Sequence, residues 1–322
     1  MTANRKTCAV QALAGWVVVG LLATSVAAND TPPLELLKNA QRILFLGDSI
    51  TAAGQYVGDF DAWLTANQID RRVIDGGLPS ETVSGLSEDG HAGGAFPRPD
   101  LFERLDRVLA ATRPNLVFAC YGINCGIYQP WDAGRFERYQ AGMTRLKSRV
   151  EAVGSRFVAM TPPFYDDQRA PRPFSYNAVL DRYSDWLVGQ RAAGWLVIDL
   201  HGPMRNDVLK RRDANPQFTY QPDGVHPNEA GHWFIARQLI AWAGDEKASA
   251  AATPAEMLAL YDVPAAALPL VQKRVNLLRD AYVAAAGHKR PGVAAGLPVA
   301  EAEAQAARLT EQIHALMIRE KK

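Results

Sequence analysis

Five short runs of uninterrupted apolar residues constrain this chain more than any other feature of it. They are Ile43-Leu44-Phe45-Leu46, Val73-Ile74, Leu116-Val117-Phe118-Ala119-Cys120, Phe157-Val158-Ala159-Met160 and Trp195-Leu196-Val197-Ile198. Turn-forming residues bound them: Gly47, Gly76-Gly77, Pro114, Pro162-Pro163 and Asp199. A strand that is apolar throughout needs cover on both faces. Helical patterns lie between the runs. One carries Leu101, Leu105, Val108 and Leu109 after Asp100, a candidate N-cap; another carries Phe136, Tyr139, Met143, Leu146, Val150 and Val153; a third carries Val179, Tyr183 and Leu187. This alternation predicts an α/β fold, a three-layer α/β/α sandwich around a parallel five-stranded sheet, over about residues 42–245.

The two ends read differently. A basic start (Arg5, Lys6), a largely apolar run from Ala9 to Ala28 and the small residues Ser25-Val26-Ala27-Ala28 have the order of a secretory signal peptide cleaved near Ala27 or Ala28. The alternative is an uncleaved anchor, because about 20 apolar residues can span a bilayer. Past Gly244 the chain turns Ala-rich and helical, with helices expected over about 264–286 and 298–319, either packed on the main domain or forming an appendage. The expected organisation is a signal segment over 1–28, a main domain over 29–245 and a helical extension over 246–322, in a secreted or periplasmic protein without stable membrane association after cleavage. A net charge of +1 gives no electrostatic reason to expect a nucleic-acid partner. Cys120 and Cys125 are close enough in sequence to allow a disulfide; the reading preferred is a buried Cys120 and a partly exposed free Cys125.

Chemistry concentrates at the carboxyl ends of the expected strands, where open parallel sheets bind ligands. Gly47-Asp48-Ser49 follows the first strand, Gly76-Gly77 the second, Gly122-Ile123-Asn124 the third, and Asp223-Gly224-Val225-His226 lies after the fifth, just before a helix starting at Pro227. These are the parts acyl transfer needs: a serine at a strand-to-helix turn, a histidine to move its proton, and an acid three residues earlier to orient the imidazole. Backbone N–H groups of Ser49 and Gly77, with Gly76 adjoining, and the Asn124 amide are candidate donors to an oxyanion. Asp48 reads as a structural turn residue. His201 near Asp199 is the runner-up to His226.

The four blocks, in this order, resemble those of the SGNH (GDSL) hydrolase family of serine esterases. The resemblance implies a flavodoxin-like fold, Ser49 as nucleophile, Asp223 and His226 completing a triad, and an oxyanion hole of Ser49, Gly77 and Asn124; with metal-binding and Gly-rich phosphate-loop motifs missing from the sequence, no metal and no cofactor is expected. One departure is visible: Cys125 stands where the family's third block usually has aspartate after the asparagine. No Gly-x-Ser-x-Gly elbow occurs, which argues against the α/β-hydrolase family, and His-Glu-x-x-His and paired Cys-x-x-Cys motifs are absent. The long loop from Leu78 to Pro99, and the aromatics Tyr121, Tyr128, Trp131, Phe164 and Tyr165, fall near the expected site as sugar contacts or as packing. The expected activity is hydrolysis of carboxylic esters through an acyl-enzyme, with a small-molecule or carbohydrate ester as substrate, most simply deacetylation of a carbohydrate. Rival readings are a lysophospholipase or thioesterase acting on longer chains, and a carbohydrate-binding protein on an inactive scaffold.

Overall fold

The computed structural model describes residues 1–2 and 31–319, so the apolar run and cleavage site of the expected signal segment lie outside the described residues. In chain order the elements are α1 (Pro33–Asn39), β1 (Arg42–Gly47), α2 (Ser49–Ala52), α3 (Gln55–Ala66), β2 (Arg72–Asp75), α4 (Leu105–Thr112), β3 (Leu116–Cys120), α5 (Ala133–Ala152), β4 (Arg156–Met160), α6 (Asn177–Gly189), β5 (Leu196–Ile198), α7 (His201–Arg212) and α8 (Glu229–Trp242). Then come α9 (Glu246–Ser249), α10 (Pro254–Ala259), α11 (Ala267–Ala286) and α12 (Val299–Arg319). Each of the five apolar runs is a strand. They pair in parallel in the order β2-β1-β3-β4-β5, the flavodoxin-like arrangement.

The winding sets the layers. Crossovers between parallel strands are right-handed, so the step from β1 to β2 places α3 on one face. The reverse steps through β3, β4 and β5 place α4, α5 and α6 on the other. Phe45 and Phe118 are register partners whose rings stack at 4.9 Å, and Phe60 of α3 and Trp242 of α8 meet them edge-on. On the opposite side Tyr139 of α5 stacks on Tyr183 of α6 at 4.4 Å.

Of the two arrangements open to the C-terminal helices, packing against the main domain is the one observed. Every residue of α3 from Tyr56 to Ala66 is buried, because α11 lies along its outer side. Arg274 of α11 reaches across to donate to Asp61 Oδ2 at 2.8 Å and Thr65 Oγ1 at 3.1 Å, while Arg279 donates to the Ala52 carbonyl at 2.8 Å. From α12, Glu303 pairs with Arg72 at 2.9 Å, so the outermost strand β2 is covered. Exposed strand edges invite pairing with other chains, and the tail removes one of the two. Among the described residues no helix is long and apolar enough to cross a membrane.

The cysteines need one correction. Both are free, and both are buried. Cys125 is 0% exposed rather than partly exposed, because the turn after β3 folds inward, its N–H donating to the Gly122 carbonyl at 2.9 Å. Burial pushes its thiol up to about 12.

Candidate active site

Strand order reverses between β1 and β3, which opens a crevice at their carboxyl ends. β1 runs directly into α2. Asp48 caps that helix, its Oδ1 accepting from the Ile50 N–H at 3.0 Å, and burial pushes its carboxyl up to about 6 despite that bond. Its role is structural. Ser49 is the first residue of α2, where a helix leaves its N–H groups without internal partners.

Across the crevice, the loop before α8 brings the histidine to the serine. The Ser49 hydroxyl donates to His226 Nε2 at 2.9 Å, and His226 Nδ1–H donates to Asp223 Oδ2 at 2.7 Å. The three-residue spacing has a visible cause. Asp223 Oδ1 accepts from the backbone N–H groups of Val225 (2.9 Å) and His226 (2.7 Å), so one oxygen builds the turn while the other holds the ring. Partial burial pushes the Asp223 carboxyl up, but the bonds from His226 and Val225 outweigh it and hold it below the usual range. Gly224 makes the turn possible: its φ is +87°, and a Cβ there would collide with Ala170. The side chains of His226 and Asp223 are 53% and 57% exposed, so this chain of groups opens to solvent.

Asn124 faces the same crevice from the β3 turn, almost fully buried. The Tyr128 hydroxyl donates to its Oδ1 at 3.0 Å, which orients the amide, and its Nδ2 makes only a long bond of 3.4 Å to the Glu81 carbonyl. Tyr128 is itself clamped between the guanidiniums of Arg98 and Arg172, at 5.2 and 5.0 Å from its ring centre. Behind Glu81 lies a buried cluster. Arg104 donates to both carboxylate oxygens at 2.6 and 2.9 Å, Tyr121 donates to Oε2 at 2.6 Å, and a further Arg104 N–H reaches the Gly76 carbonyl at 2.7 Å.

Gly77 does not present its N–H as expected. That N–H donates to Asp75 Oδ1 at 2.8 Å, within a buried pocket where desolvation pushes the Asp75 carboxyl up to about 7. The neighbouring Gly76 N–H donates to the Phe45 carbonyl at 2.7 Å. Gly77 is a glycine because the chain passes so close to α2 that a Cβ would strike the Ala52 nitrogen. Ser80 is the residue that sequence reasoning missed. It holds φ +70°, and its N–H has no partner among the described residues. The signal was present: Leu78-Pro79-Ser80-Glu81 closes with Glu81 N–H donating to the Leu78 carbonyl at 3.2 Å, a turn in which proline second favours a positive φ third, where glycine is usual.

The remaining candidates fall elsewhere. His201 is 2% exposed and bonds Asp181 at 2.9 Å. Asp199 instead accepts from Thr161 and from the Gly202 N–H. Tyr121, Phe164 and Tyr165 are buried packing residues, and Trp131, 43% exposed and flanked by Arg182, is the aromatic of the five that stands free. The 78–99 loop is tied down by Arg98, which pairs with Glu88 at 2.6 Å, and by Arg290, which donates to the Pro79 carbonyl at 3.1 Å. Among the described residues no group of three or more His, Cys, Asp or Glu is arranged to hold a metal.

With this geometry in view, residues 45–234 match the model of the GDSL-like Lipase/Acylhydrolase family. Among solved structures, BT4096, a gut microbial diltiazem-metabolizing enzyme, is similar with a TM-score of 0.50 at 20% identity, over 63% of this chain and 47% of that one. This chain thus spans about half the length of that enzyme. LAE5, an alpha/beta hydrolase enzyme from the metagenome of Lake Arreo, Spain, gives 0.50 at 24% identity over 64% of this chain and 95% of its own. Axe2, an acetylxylan esterase from Geobacillus stearothermophilus, gives 0.49 at 24% over 63% and 94%. The likeness to BT4096 and LAE5 is one of fold. No protein of curated function matches the sequence.

Proposed function

The chain belongs to the GDSL-like Lipase/Acylhydrolase family and is a carboxylic ester hydrolase, and from that premise we propose that it works through an acyl-enzyme on Ser49. The observation that carries this reading is the continuous relay from the Ser49 hydroxyl through His226 to Asp223, at 2.9 and 2.7 Å. His226 Nε2 takes the serine proton as Oγ attacks the ester carbonyl, and Asp223 stabilises the resulting imidazolium. The same imidazolium then protonates the departing alcohol, leaving acyl-Ser49. Water, deprotonated by His226, releases the acid and restores the hydroxyl.

The oxyanion requires donors at its position. We assign this role to the Ser49 N–H, the Asn124 side-chain amide and, in place of Gly77, the Ser80 N–H. Ser80 precedes the very carbonyl that Asn124 touches, and its N–H is uncommitted, whereas that of Gly77 is engaged by Asp75. For the substrate we propose a short acyl group, such as acetyl, on a carbohydrate. The half-exposed His226 and Asp223 support an open site that suits a bulky, hydrated alcohol. We further propose that residues 1–28 direct export.

The test is hydrolysis of p-nitrophenyl esters of rising chain length, followed by acetylated oligosaccharides, with Ser49→Ala as the blank. Activity on acetate that Ser49→Ala and His226→Ala abolish without loss of folding is expected. Full activity in Ser49→Ala would remove the nucleophile assignment, and a preference for long acyl chains would remove the carbohydrate-ester reading.

A further inference from the structure

Where α3, α8 and α11 meet, a cleft of about 620 Å³ opens between the sandwich and the C-terminal helices. Asp59 lines it and is 7% exposed. Its carboxylate receives no hydrogen bond from the described protein: Oδ2 is sealed and unpartnered, and Oδ1 is the oxygen that reaches the surface. Glu229, in the first turn of α8, lines the same cleft and has no ion-pair partner among the described residues. Gln272 of α11 adds a third acceptor. Its amide N–H groups donate to the Gly54 carbonyl (3.1 Å) and to Asn276 Oδ1 (3.0 Å), so its own carbonyl oxygen is what remains.

No lysine or arginine lines this cleft. Arg279, beside Asn276, donates to the Ala52 carbonyl, to Asn276 and to Asp280. Ala53, Ala230 and Leu268 supply apolar wall. A buried carboxylate with neither cation nor donor is costly. Burial, and then Glu229, push Asp59 up to about 7, which expresses the same unmet need for positive charge. A polyhydroxylated ligand would want an aromatic platform as well, yet Trp233 is 3% exposed and its indole N–H donates to the Ala251 carbonyl at 3.0 Å. The ligand that fits carries a cationic hydrogen-bond donor on a short aliphatic stem.

We propose that this cleft binds a primary alkylammonium group, held between Asp59 and Glu229 with the Gln272 carbonyl, its stem resting on Ala53, Ala230 and Leu268. None of Ser49, Asn124, Asp223 and His226 lines this cleft, so the proposal does not depend on their assignment. Full-length protein carrying Ser49→Ala is titrated at pH 8 with n-butylammonium, n-butanol and butyrate, followed by calorimetry and by amide chemical shifts of α3 and α11. Butylammonium is expected to bind saturably with shifts at the cleft, at least about tenfold tighter than butanol, as a charge-assisted bond to a buried carboxylate implies. Asp59→Asn is expected to weaken it about tenfold or more while the protein melts no lower than before. Butanol binding as well as the amine, unchanged affinity in a folded Asp59→Asn, or no saturable binding of butylammonium would each overturn the proposal.

Discussion

Replacing Arg104 with leucine removes the cation beneath the loop that carries Ser80 and Glu81. The pair is deeply buried, with the arginine side chain 1% exposed and the glutamate 0%. Burial pushes the Glu81 carboxyl up, and Arg104 is the chief group pulling against it. Leucine leaves a buried carboxylate with only the Tyr121 hydroxyl for company and takes the donor from the Gly76 carbonyl. Breaking a buried pair from one side costs about 3–5 kcal/mol. At about 2–4 °C per kcal/mol for a large domain, Tm should fall by roughly 6–20 °C. The rate should fall too. Glu81 holds the long bond from Asn124, and misplacing such a donor by about 1 Å can cost on the order of 10²-fold; a drop of about tenfold or more in kcat is expected, with KM little changed. Scanning fluorimetry and steady-state hydrolysis of p-nitrophenyl acetate read both effects. In the double variant Glu81→Leu, Arg104→Leu neither charge is left behind, so it should melt no lower than Arg104→Leu alone. A shift under about 2 °C in the single variant, or strictly additive losses in the double, would refute the argument.

Asn124→Ala should lower kcat by roughly 10²–10³, the scale of one oxyanion donor. Tyr128→Phe, which removes only the 3.0 Å bond orienting that amide, should cost about tenfold or less; both are read from kcat at saturating ester. Exchanging the backbone amide N–H for an ester oxygen at residue 80 should lower kcat about 10²-fold, while the same exchange at 77 should act mainly on Tm; the reverse pattern restores Gly77 as the donor. Asp59 is raised from its ordinary value of 3.8 to about 7, so its folded form keeps a proton that the unfolded chain releases. Its favourable contribution is fully present below about pH 4 and is lost as pH rises through 7. Asp59→Asn should therefore raise Tm more at pH 8 than at pH 5, and an equal gain at both would count against the raised value.

What could be read in the sequence follows from how far each signal travels. The strands were legible because burial on both faces leaves only apolar residues, and the Asp223-x-x-His226 spacing was legible because one carboxylate builds the turn and holds the ring. Helix α3 was not. Asp59, Asp61 and Thr65 break its apolar pattern, yet all three are buried, and Arg274 of α11, more than 200 residues later, is what meets Asp61 and Thr65. Gly77 differs in kind: the residue that takes its N–H, Asp75, is only two positions away, but a short strand end does not by itself show that this carboxylate turns back onto the chain, whereas the Pro79-Ser80 pair did carry a positive-φ signal. Cys125 lies outside every apolar run, so no local pattern marks it as buried; the turn after β3 carries it inward. The aromatics near the crevice were open to two readings, and for Tyr121, Phe164 and Tyr165 packing is the one observed.

The burial of α3 on every side bears on how shorter members of this family must be built. A chain that stopped near residue 245 would leave Asp61 and Thr65 without Arg274 and would turn an apolar helix flank to water. A compact relative must therefore write a polar, self-sufficient surface on the helix after its nucleophile. The residues on that one helix should reveal, before any coordinates exist, whether a given family member wears a C-terminal brace.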